Sequence, residues 1–312
     1  MKVPLGALDG VKAMKIGYIG LGNLGGHLAA SLIRAGFQVV VYDRDLALAD
    51  RHRALGAGVA DSPADLAVQV DHVFTCLPSP AVSEAVLAQV LTTARPGMSW
   101  VENSTLGRED VLRLAGLAHA AGLRMLEAPV TGGVHLAARG EITVLVGGDA
   151  DLLEQHRAAL MAIGNRLFHM GPLGSAAVIK VITNMLAFIH LVADGEALML
   201  ARRGGLDLKT AWEAIAASSG SSFVHETEGQ LILNGSYDIA FTMDLALKDL
   251  GFAMGFGQEF GVPLDLAGQT MQTFVKGRAA YGGSAQSTQV VKLLEDALGT
   301  DLRAEGFPAR LE

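Results

Sequence analysis

The first half of the chain alternates short apolar runs with segments in which apolar residues recur at helical spacing. The β-branched and apolar runs predict strands over residues 15–20, 38–42, 72–77, 99–102, 124–126 and 142–146. Helical patterns occupy most of the intervals, beginning with residues 23–35 and 46–55. Strands that alternate with helices in this way form parallel sheets with helices on both faces. The pattern therefore predicts an α/β domain built on a doubly wound, largely parallel sheet.

The alternation stops near residues 171–172. Residues 173–203 follow a helical pattern that is much longer than an average helix. Only helical patterns come after it, near residues 207–217, 241–260, 263–276 and 288–298. We therefore predict an all-α second domain over residues 173–312, joined through the long helix to a first domain over residues 15–172. Residues 1–14 lack the long apolar stretch of a signal peptide, and we expect a disordered extension there.

The composition is that of a soluble globular protein with room for two domains. Of the 312 residues, 50% are hydrophobic and 18% are charged, and the formal net charge is −8. This acidic balance argues against a nucleic-acid surface, since the chain has no basic cluster longer than Arg202-Arg203. The single cysteine, Cys76, excludes an intrachain disulfide and fits a reducing cytoplasm, where we expect the protein to act.

Neither a membrane span nor a metal site is indicated. The apolar run of residues 176–193 contains Lys180, Asn184 and His190, and two acidic residues follow it directly. Those side chains would carry a large free-energy cost against lipid, so we predict a buried helix of a soluble protein. The nine histidines show no H-x-x-x-H or carboxylate spacing typical of metal ligands.

A glycine motif lies where the first predicted strand ends and the first helix begins. Gly20-Leu21-Gly22-Asn23-Leu24-Gly25 follows the pattern G-x-G-x-x-G. The first glycine permits a tight turn, the second lets backbone approach a pyrophosphate, and the third lets the helix pack close to the sheet. The helix N-terminus adds unpaired N–H groups and a partial positive charge. With its strand and helix, the motif predicts a Rossmann-type dinucleotide site, although a structural glycine loop is the alternative.

Residues after the later strands should complete this cofactor site. Asp43, at the end of the second strand, can accept hydrogen bonds from the adenine ribose and would repel a ribose phosphate. We therefore expect NAD to be favoured, while the adjacent Arg44 leaves NADP possible. Ligands bind at the carboxyl ends of the strands in such sheets, so the loops containing Leu77-Pro78 and Ser104-Thr105 should frame the nicotinamide. Cys76 is interpreted as a packed apolar residue rather than a nucleophile.

Lys180 and Asn184 place two polar groups on one face of the long apolar helix. Residues four apart on a helix lie on the same side, about 6 Å apart along the axis. An ammonium and a carboxamide side by side are suited to holding the oxygens of a substrate. The alternative is structural, with Lys180 extending to the surface and Asn184 satisfying neighbouring backbone.

Four segments in order along the chain resemble the motifs of one family. They are the glycine loop, the stretch Glu127-Ala128-Pro129-Val130-Thr131-Gly132-Gly133, the segment containing Gly174, Lys180 and Asn184, and Lys248-Asp249-Leu250. Together they resemble the β-hydroxyacid dehydrogenases, typified by 3-hydroxyisobutyrate dehydrogenase and tartronate semialdehyde reductase. The resemblance covers nearly all of residues 15–298. Leu24, Glu127 and Thr131 replace the family's usual methionine, aspartate and serine, and the added methyl group of Thr131 leaves the substrate open.

The resemblance implies a hydride transfer between NAD(P) and the hydroxyl-bearing carbon of a small 3-hydroxy acid. It implies that Lys180 is the general acid/base and that Asn184 orients the substrate oxygen. Thr131, Gly132 and Gly133 would cradle the substrate carboxylate with a hydroxyl and successive N–H groups, whereas an ordinary turn is the alternative for the two glycines. Lys248 would close over the nicotinamide, unless it is merely a solvated helix lysine.

The helical domain is also expected to determine the distal end of the substrate pocket and the assembly state. Phe241, together with the serine-rich loop of residues 218–222 and His225, is expected to shape the distal end, although His225 is more often structural. The helical domain has more apolar surface than it can hide, and family members associate through it. We therefore expect a homo-dimer or homo-tetramer.

Two other functions compete with the dehydrogenase. An imine reductase shares the fold and the glycine loop, but those enzymes generally lack the lysine found here as Lys180. A non-catalytic NAD(P)-binding scaffold would be favoured by loss of the lysine or of the T-G-G cradle, and both are present. A 6-phosphogluconate dehydrogenase would need a longer helical domain and more basic residues.

Overall fold

The computed structural model describes residues 14–311, and the predicted extension over residues 1–14 lies, apart from Met14, outside the described residues. The described chain divides into two compact units, which meet in sequence between Lys180 and Val181. The predicted limit at residues 172–173 lies a few residues before that division. We predict that residues 15–172 form the dinucleotide-binding domain and residues 173–312 the substrate and dimerisation domain, and these roles stay predictions.

The first unit alternates strands and helices as far as Gly171. Its strands are β1 Lys15–Ile19, β2 Gln38–Tyr42, β3 Gly58–Val59, β4 His72–Thr75, β5 Ser99–Glu102, β6 Arg124–Glu127, β7 Val130–Thr131, β8 Ile142–Gly147 and β9 Gly164–Gly171. Its helices are α1 Gly25–Arg34, α2 Leu46–Ala54, α3 Pro63–Gln69, α4 Pro80–Leu91, α5 Arg108–Ala120, α6 Val134–Arg139 and α7 Ala150–Ile163.

All nine strands form one sheet. The strand order is β3-β2-β1-β4-β5-β6-β8-β7, with β9 also paired to β8. The pairs from β3 to β6 are parallel, whereas β8 runs antiparallel to β6 and β7 and parallel to β9. The order reverses direction at β1, which places β4 beside it and opens a crevice at the carboxyl ends of these two strands. The predicted doubly wound, largely parallel sheet is confirmed.

Helices cover both faces of the sheet because the strand side chains alternate. Ile16 and Tyr18 of β1 enter one apolar core, which also contains residues of α1 and α7. Ile19 of the same strand enters a second core, together with Trp100 and residues of α3 and α5. Buried side chains on both faces give the strands their nearly continuous apolar sequence.

The second unit is helical. The long helix α8 Ser175–Arg203 contributes its first residues to the first unit and the rest to the second. It is followed by α9 Leu208–Ala216, α10 Phe223–Asn234, α11 Met243–Phe260, α12 Asp265–Tyr281, a short 3-10 helix Ser287–Val291 and α13 Lys292–Leu298. Phe188, Leu250 and Phe274 lie in the core of this unit. The predicted all-α second part is confirmed as a fold.

Four elements have no counterpart in the predicted pattern. The strands β3 and β7 are only two residues long, and β9 is an edge strand whose side chains are mostly exposed, so it has no apolar alternation. The helix α10 follows the serine-rich loop and was not predicted as a helix. Its limits are nevertheless marked, because the Ser222 hydroxyl accepts the N–H of His225 and Gly235 ends the helix at a φ of 88°.

Among the described residues, one helix is long and apolar enough to cross a membrane by length and composition, and it is α8. The core helix of a soluble protein passes the same test. Lys180 and Asp194 on this helix are both buried, and 33% of its most apolar 18-residue window is buried.

A buried cluster of two histidines and a serine lies near the amino ends of β4 and β5, whereas the glycine loop lies at the carboxyl end of β1. Ser99, at the start of β5, lies 2.6 Å from His156 Nε2 and 2.9 Å from His72 Nδ1 through its hydroxyl oxygen. A hydroxyl can donate to one imidazole and accept from the other, which suits two neutral rings. Burial first, and then the charges of His72 and Arg124, lower the pKa of His156 to about 3.

The first unit should therefore lose stability in acid. Because the folded pKa of His156 lies below its unfolded value, the unfolded chain binds the extra proton as the pH falls below about 6.5. The free energy of unfolding should fall by up to about 1.4 kcal/mol per pH unit until the pH reaches the folded pKa. Urea titrations between pH 7 and pH 4, followed by Trp100 fluorescence in a Trp212→Phe background, measure this slope.

The matched comparison is His156→Gln against His119→Gln, which changes an exposed histidine on α5. We expect a shallower pH slope in the first variant and an unchanged slope in the second. Equal slopes in both variants and the parent would contradict the assignment of acid sensitivity to His156.

Candidate active site

The glycine loop has no room for side chains at its first and third glycines. A Cβ at Gly20, where φ is 94°, would lie 2.3 Å from the carbonyl oxygen of Cys76. A Cβ at Gly25 would lie 2.1 Å from the carbonyl oxygen of Gly20. A Cβ at Gly22 would have no atom within 4 Å. The outer glycines therefore close the turn, while Gly22 faces open space of the kind a bound pyrophosphate requires.

The carboxylate of Asp43 is tied to the glycine loop. Its Oδ2 accepts the N–H of Leu21 at 2.7 Å, and its Oδ1 accepts the N–H of Asp45 at 2.9 Å. The end of β2 is thereby held against the turn after β1. The remaining lone pairs of the carboxylate can accept ribose hydroxyls. Arg44 beside it is exposed.

The loops after β4 and β5 are joined through a buried carboxylate. The N–H of Leu77 donates to Ser104 Oγ at 2.7 Å, and the N–H of Ser104 donates to Glu102 Oε1 at 2.8 Å. The Ser104 hydroxyl donates to the same Glu102 oxygen. Burial raises the pKa of Glu102, and its hydrogen bonds oppose that shift. The segments containing Leu77-Pro78 and Ser104-Thr105 are thus held together at the carboxyl edge of the sheet.

Lys180 is buried, and its charge acts on this same edge. Its relative exposure is 7%. Burial first, and then the Glu102 charge, raise the pKa of Cys76 to about 12, against the lowering effect of the Lys180 charge. The thiol of Cys76 is therefore protonated at neutral pH, which supports its interpretation as a packed residue. The Lys180 ammonium lies close enough to the end of β4 to influence a group there.

The candidate carboxylate cradle follows β6. Thr131 is in β7 and pairs with Thr143 of β8. Gly132 and Gly133 both have positive φ values, 127° and 88°. Residues with side chains rarely adopt these angles, so the two glycines are required to turn the backbone here. Successive N–H groups in such a turn can face a carboxylate oxygen.

Glu127, at the start of the segment that leads to the cradle, binds the first turn of α8. Its Oε1 accepts the N–H of Ala176 at 2.9 Å, and its Oε2 accepts the N–H of Ala177 at 2.9 Å. Burial raises the pKa of Glu127 to about 7, against the lowering effect of these bonds and of one from the Gly174 N–H. The residue that differs from the family's aspartate therefore caps the helix that carries Lys180.

In the second unit, Asn184 and Lys248 bind the same buried carboxylate. Asn184 Nδ2 donates to Asp249 Oδ2 at 2.6 Å, and Lys248 Nζ lies 2.7 Å from Asp249 Oδ1. Asp249 is 1% exposed, so it needs these partners. The structure brings two of the predicted site residues together through Asp249. Phe241 packs against Phe188 of α8, with the two ring centroids 6.0 Å apart.

His225 occupies a structural position. Its Nδ1 lies 2.5 Å from Asp194 Oδ1 and its Nε2 lies 2.9 Å from the carbonyl oxygen of Trp212. Both partners are acceptors, which favours the doubly protonated ring. Burial alone would lower the pKa of His225, but the Asp194 carboxylate and the Trp212 carbonyl outweigh it and raise the pKa. The His225 ring therefore joins Asp194 and Trp212 within the helical unit.

Glu102 was not predicted at all, and Glu127 and Asp249 were named only as members of motifs, without a role in the site. Glu102 and Glu127 are acids at the ends of apolar strands, and Asp249 is an acid beside Lys248 in a mostly apolar helix. Within residues 14–311, no group of three histidine, cysteine or acidic side chains could hold a metal ion.

Two family models cover most of the chain. The NAD binding domain of 6-phosphogluconate dehydrogenase matches residues 15–171. The NAD-binding domain of NADP-dependent 3-hydroxyisobutyrate dehydrogenase matches residues 174–294. The first match covers the whole α/β part, and the second covers the helical part in which a 6-phosphogluconate dehydrogenase would differ.

Individual proteins resemble the chain over nearly its whole length. The 2-(hydroxymethyl)glutarate dehydrogenase of Eubacterium barkeri is 32% identical over 93% of this chain and 98% of its own. The L-threonate dehydrogenase of Cupriavidus necator is 32% identical over 89% and 95%. The structure of Mycobacterium tuberculosis 3-hydroxyisobutyrate dehydrogenase with L-serine has a TM-score of 0.81 and 29% identity, covering 90% of this chain and 99% of that one.

A Rossmann-type sheet with a dinucleotide loop, followed by this helical part, defines an oxidoreductase that uses a nicotinamide cofactor. The chain belongs to the β-hydroxyacid dehydrogenase family. It is an NAD(P)-dependent hydroxyacid dehydrogenase that acts on CH–OH groups. An imine reductase from a Pseudomonas species has a TM-score of 0.63 at 18% identity, so that likeness concerns the fold alone.

The glycine loop makes a testable distinction between two of its glycines. Gly25→Ala should lower the free energy of unfolding by about 1–3 kcal/mol, because its methyl group would collide with the Gly20 carbonyl. Gly22→Ala should fold normally but raise the Kd for NAD by about tenfold or more, which is about 1.4 kcal/mol. Thermal unfolding and calorimetric titration with NAD measure the two effects. Unchanged NAD binding in Gly22→Ala would remove this glycine from the cofactor site.

Proposed function

We propose that the protein oxidises or reduces a small 3-hydroxy acid, with Lys180 as the general acid/base. The observation that carries this proposal is the buried Lys180 on a helix whose first turn is bound by Glu127. A buried lysine at the carboxyl edge of a dinucleotide-binding sheet is a candidate acid/base group. The names of the relatives, which include dehydrogenases of hydroxymethylglutarate, threonate and hydroxyisobutyrate, support this substrate class.

Lys180 would hold the hydroxyl group of the substrate. In oxidation its neutral amine accepts the hydroxyl proton as the carbon–oxygen bond becomes a carbonyl. In reduction its ammonium donates that proton to the developing alkoxide. The bound nicotinamide supplies the hydride acceptor or donor for these two directions.

The other site residues would bind and orient. Thr131, Gly132 and Gly133 hold the substrate carboxylate through a hydroxyl and backbone N–H groups. Asn184 directs its amide at the substrate oxygen, and Asp249 fixes that amide by accepting one of its hydrogens. Phe241 limits the distal end of the substrate, and its neighbour Phe188 restricts the ring's movement.

The cofactor would be held mainly by the glycine loop and by the loops after β4 and β5. The backbone of Gly20, Gly22, Asn23, Leu24 and Gly25 would receive the pyrophosphate, and Leu77, Pro78, Ser104 and Thr105 would frame the nicotinamide. Lys248 would cover the nicotinamide side. We propose that NAD is preferred, because the Asp43 carboxylate repels a ribose phosphate, while Arg44 leaves NADP usable.

The test is a turnover assay at 340 nm with a panel of 3-hydroxy acids, using NAD and NADP in parallel. Lys180→Ala should lower kcat by about 100-fold or more while calorimetry shows NAD binding intact. Lys180→Arg should fail as well, because a guanidinium keeps the charge but does not exchange its proton. Lys209→Ala, at an exposed lysine of α9, is the control and should retain full activity.

Each other outcome has a defined meaning. If the parent protein binds NAD but turns over no member of the panel, the 3-hydroxy acid assignment is contradicted. Turnover of a cyclic imine in the same assay would then favour the imine reductase. Turnover that survives in Lys180→Ala would keep the reaction and remove Lys180 from it.

We also propose a cytoplasmic homo-dimer or homo-tetramer that binds neither nucleic acid nor membrane. Large apolar side chains are exposed in the helical unit, including Leu200 at 75% and Leu266 at 67%. Such surface is usually covered by a partner. Light scattering of protein from the soluble cell fraction should give a mass at least twice the 32.5 kDa of one chain. A monomer at micromolar concentration, or recovery in the membrane fraction, would contradict the proposal.

A further inference from the structure

The Glu127 carboxylate connects the strand before the Thr131 cradle to the helix that carries Lys180. Glu127 is the last residue of β6, and Thr131 lies four residues further along the chain. We propose that Glu127 is a positioning residue that fixes Lys180 relative to the Thr131 cradle by binding the first turn of α8. The inference rests on the proposed role of Lys180.

Both oxygens of the Glu127 carboxylate accept hydrogen bonds from α8. Its two oxygens accept the N–H groups of Ala176 and Ala177, each at 2.9 Å, and the side chain is 1% exposed. The first N–H groups of a helix have no partner within the helix, so an external acceptor determines where that end is held. The partial positive charge of the helix N-terminus adds to these bonds.

The bound turn lies next to Lys180 along α8. Lys180 is four residues after Ala176 and three after Ala177, so all three stand on one side of the helix in successive turns. Ala177 also packs in the apolar core of the first unit. A displacement of this turn would therefore move the Lys180 side chain with it.

Glu127 is also held at its backbone, at the end of β6. The backbone of Glu127 pairs with Gly147 of β8, and the N–H of Ala128 donates to the carbonyl oxygen of Glu102 at 2.7 Å. A Cβ at Gly147 would lie 2.2 Å from Glu127 Oε1, so the carboxylate fills the space that this glycine leaves. The backbone of β8 therefore borders the Glu127 carboxylate directly.

A positioning role predicts a particular kinetic change. Misplacement of a reacting group by about 1 Å costs on the order of 100-fold in rate. The contacts proposed for Leu77 and Ser104 do not depend on Glu127, because Glu102 holds their loops. Thr131 is held separately by its pairing with Thr143 of β8. A loss confined to kcat, with KM unchanged, separates this role from a general loss of structure.

The experiment measures kcat and KM for the best 3-hydroxy acid and for NAD in the full-length protein. Glu127→Gln keeps the size but turns an NH₂ group towards a backbone N–H. We expect kcat to fall by about tenfold or more, with both KM values changed by less than about threefold. Glu127→Asp, which keeps two oxygens, should recover part of the lost kcat. Glu154→Gln on the exposed face of α7 is the control and should match the parent.

A second variant disturbs the same contact without altering the carboxylate. Gly147→Ala places a methyl group against Glu127 Oε1 and should lower kcat in the same way. This variant and Glu127→Asp decide the question if Glu127→Gln does not fold. Parental kcat in the folded variants would overturn the inference, and so would a rise in KM without a fall in kcat. If the parent turns over and Lys180→Ala is inactive, such a result removes only the role of Glu127.

Discussion

Two buried carboxylates at the carboxyl edge of the sheet determine how the surrounding loops are arranged. Glu102 and Glu127 end adjacent parallel strands and are partners in register. Each is 1% exposed, and burial raises the pKa of both. A buried carboxylate without hydrogen bonds is very costly, so backbone N–H groups must be brought to it. Ser104 donates twice to one oxygen of Glu102, and the first turn of α8 donates to both oxygens of Glu127.

This requirement links the fold to the chemistry. Strand alternation places Trp100 and Met125 in one apolar core, and the next residues of the same parity are Glu102 and Glu127. The carboxylates therefore lie on the face that receives the loop of Ser104 and the start of α8. The same acids that close this edge of the core hold the segments proposed to carry the cofactor and the acid/base.

The sequence was sufficient for most of the fold because its signals are local. Apolar runs and helical spacing located the longer strands, and the glycine loop combined a strand, a turn and a helix within a few residues. Edge strand β9 gave no such signal, since pairing with β8 rather than apolar burial makes it a strand.

The site was only partly predictable for a related reason. Lys180 and Asn184 stand out as polar residues in an apolar helix, but the partner of Asn184 lies 65 positions away in sequence.

The carboxylate of Asp43 links the proposed cofactor choice to the shape of the glycine loop. Its two oxygens accept the N–H groups of Leu21 and Asp45, so the residue proposed to bind the ribose also holds the turn. A basic or apolar residue at this position would remove the repulsion of a ribose phosphate but would also leave the Leu21 N–H without its acceptor. In evolution or in engineering, a change of cofactor through such a residue is therefore not a single exchange. It requires a second substitution that restores an acceptor for Leu21.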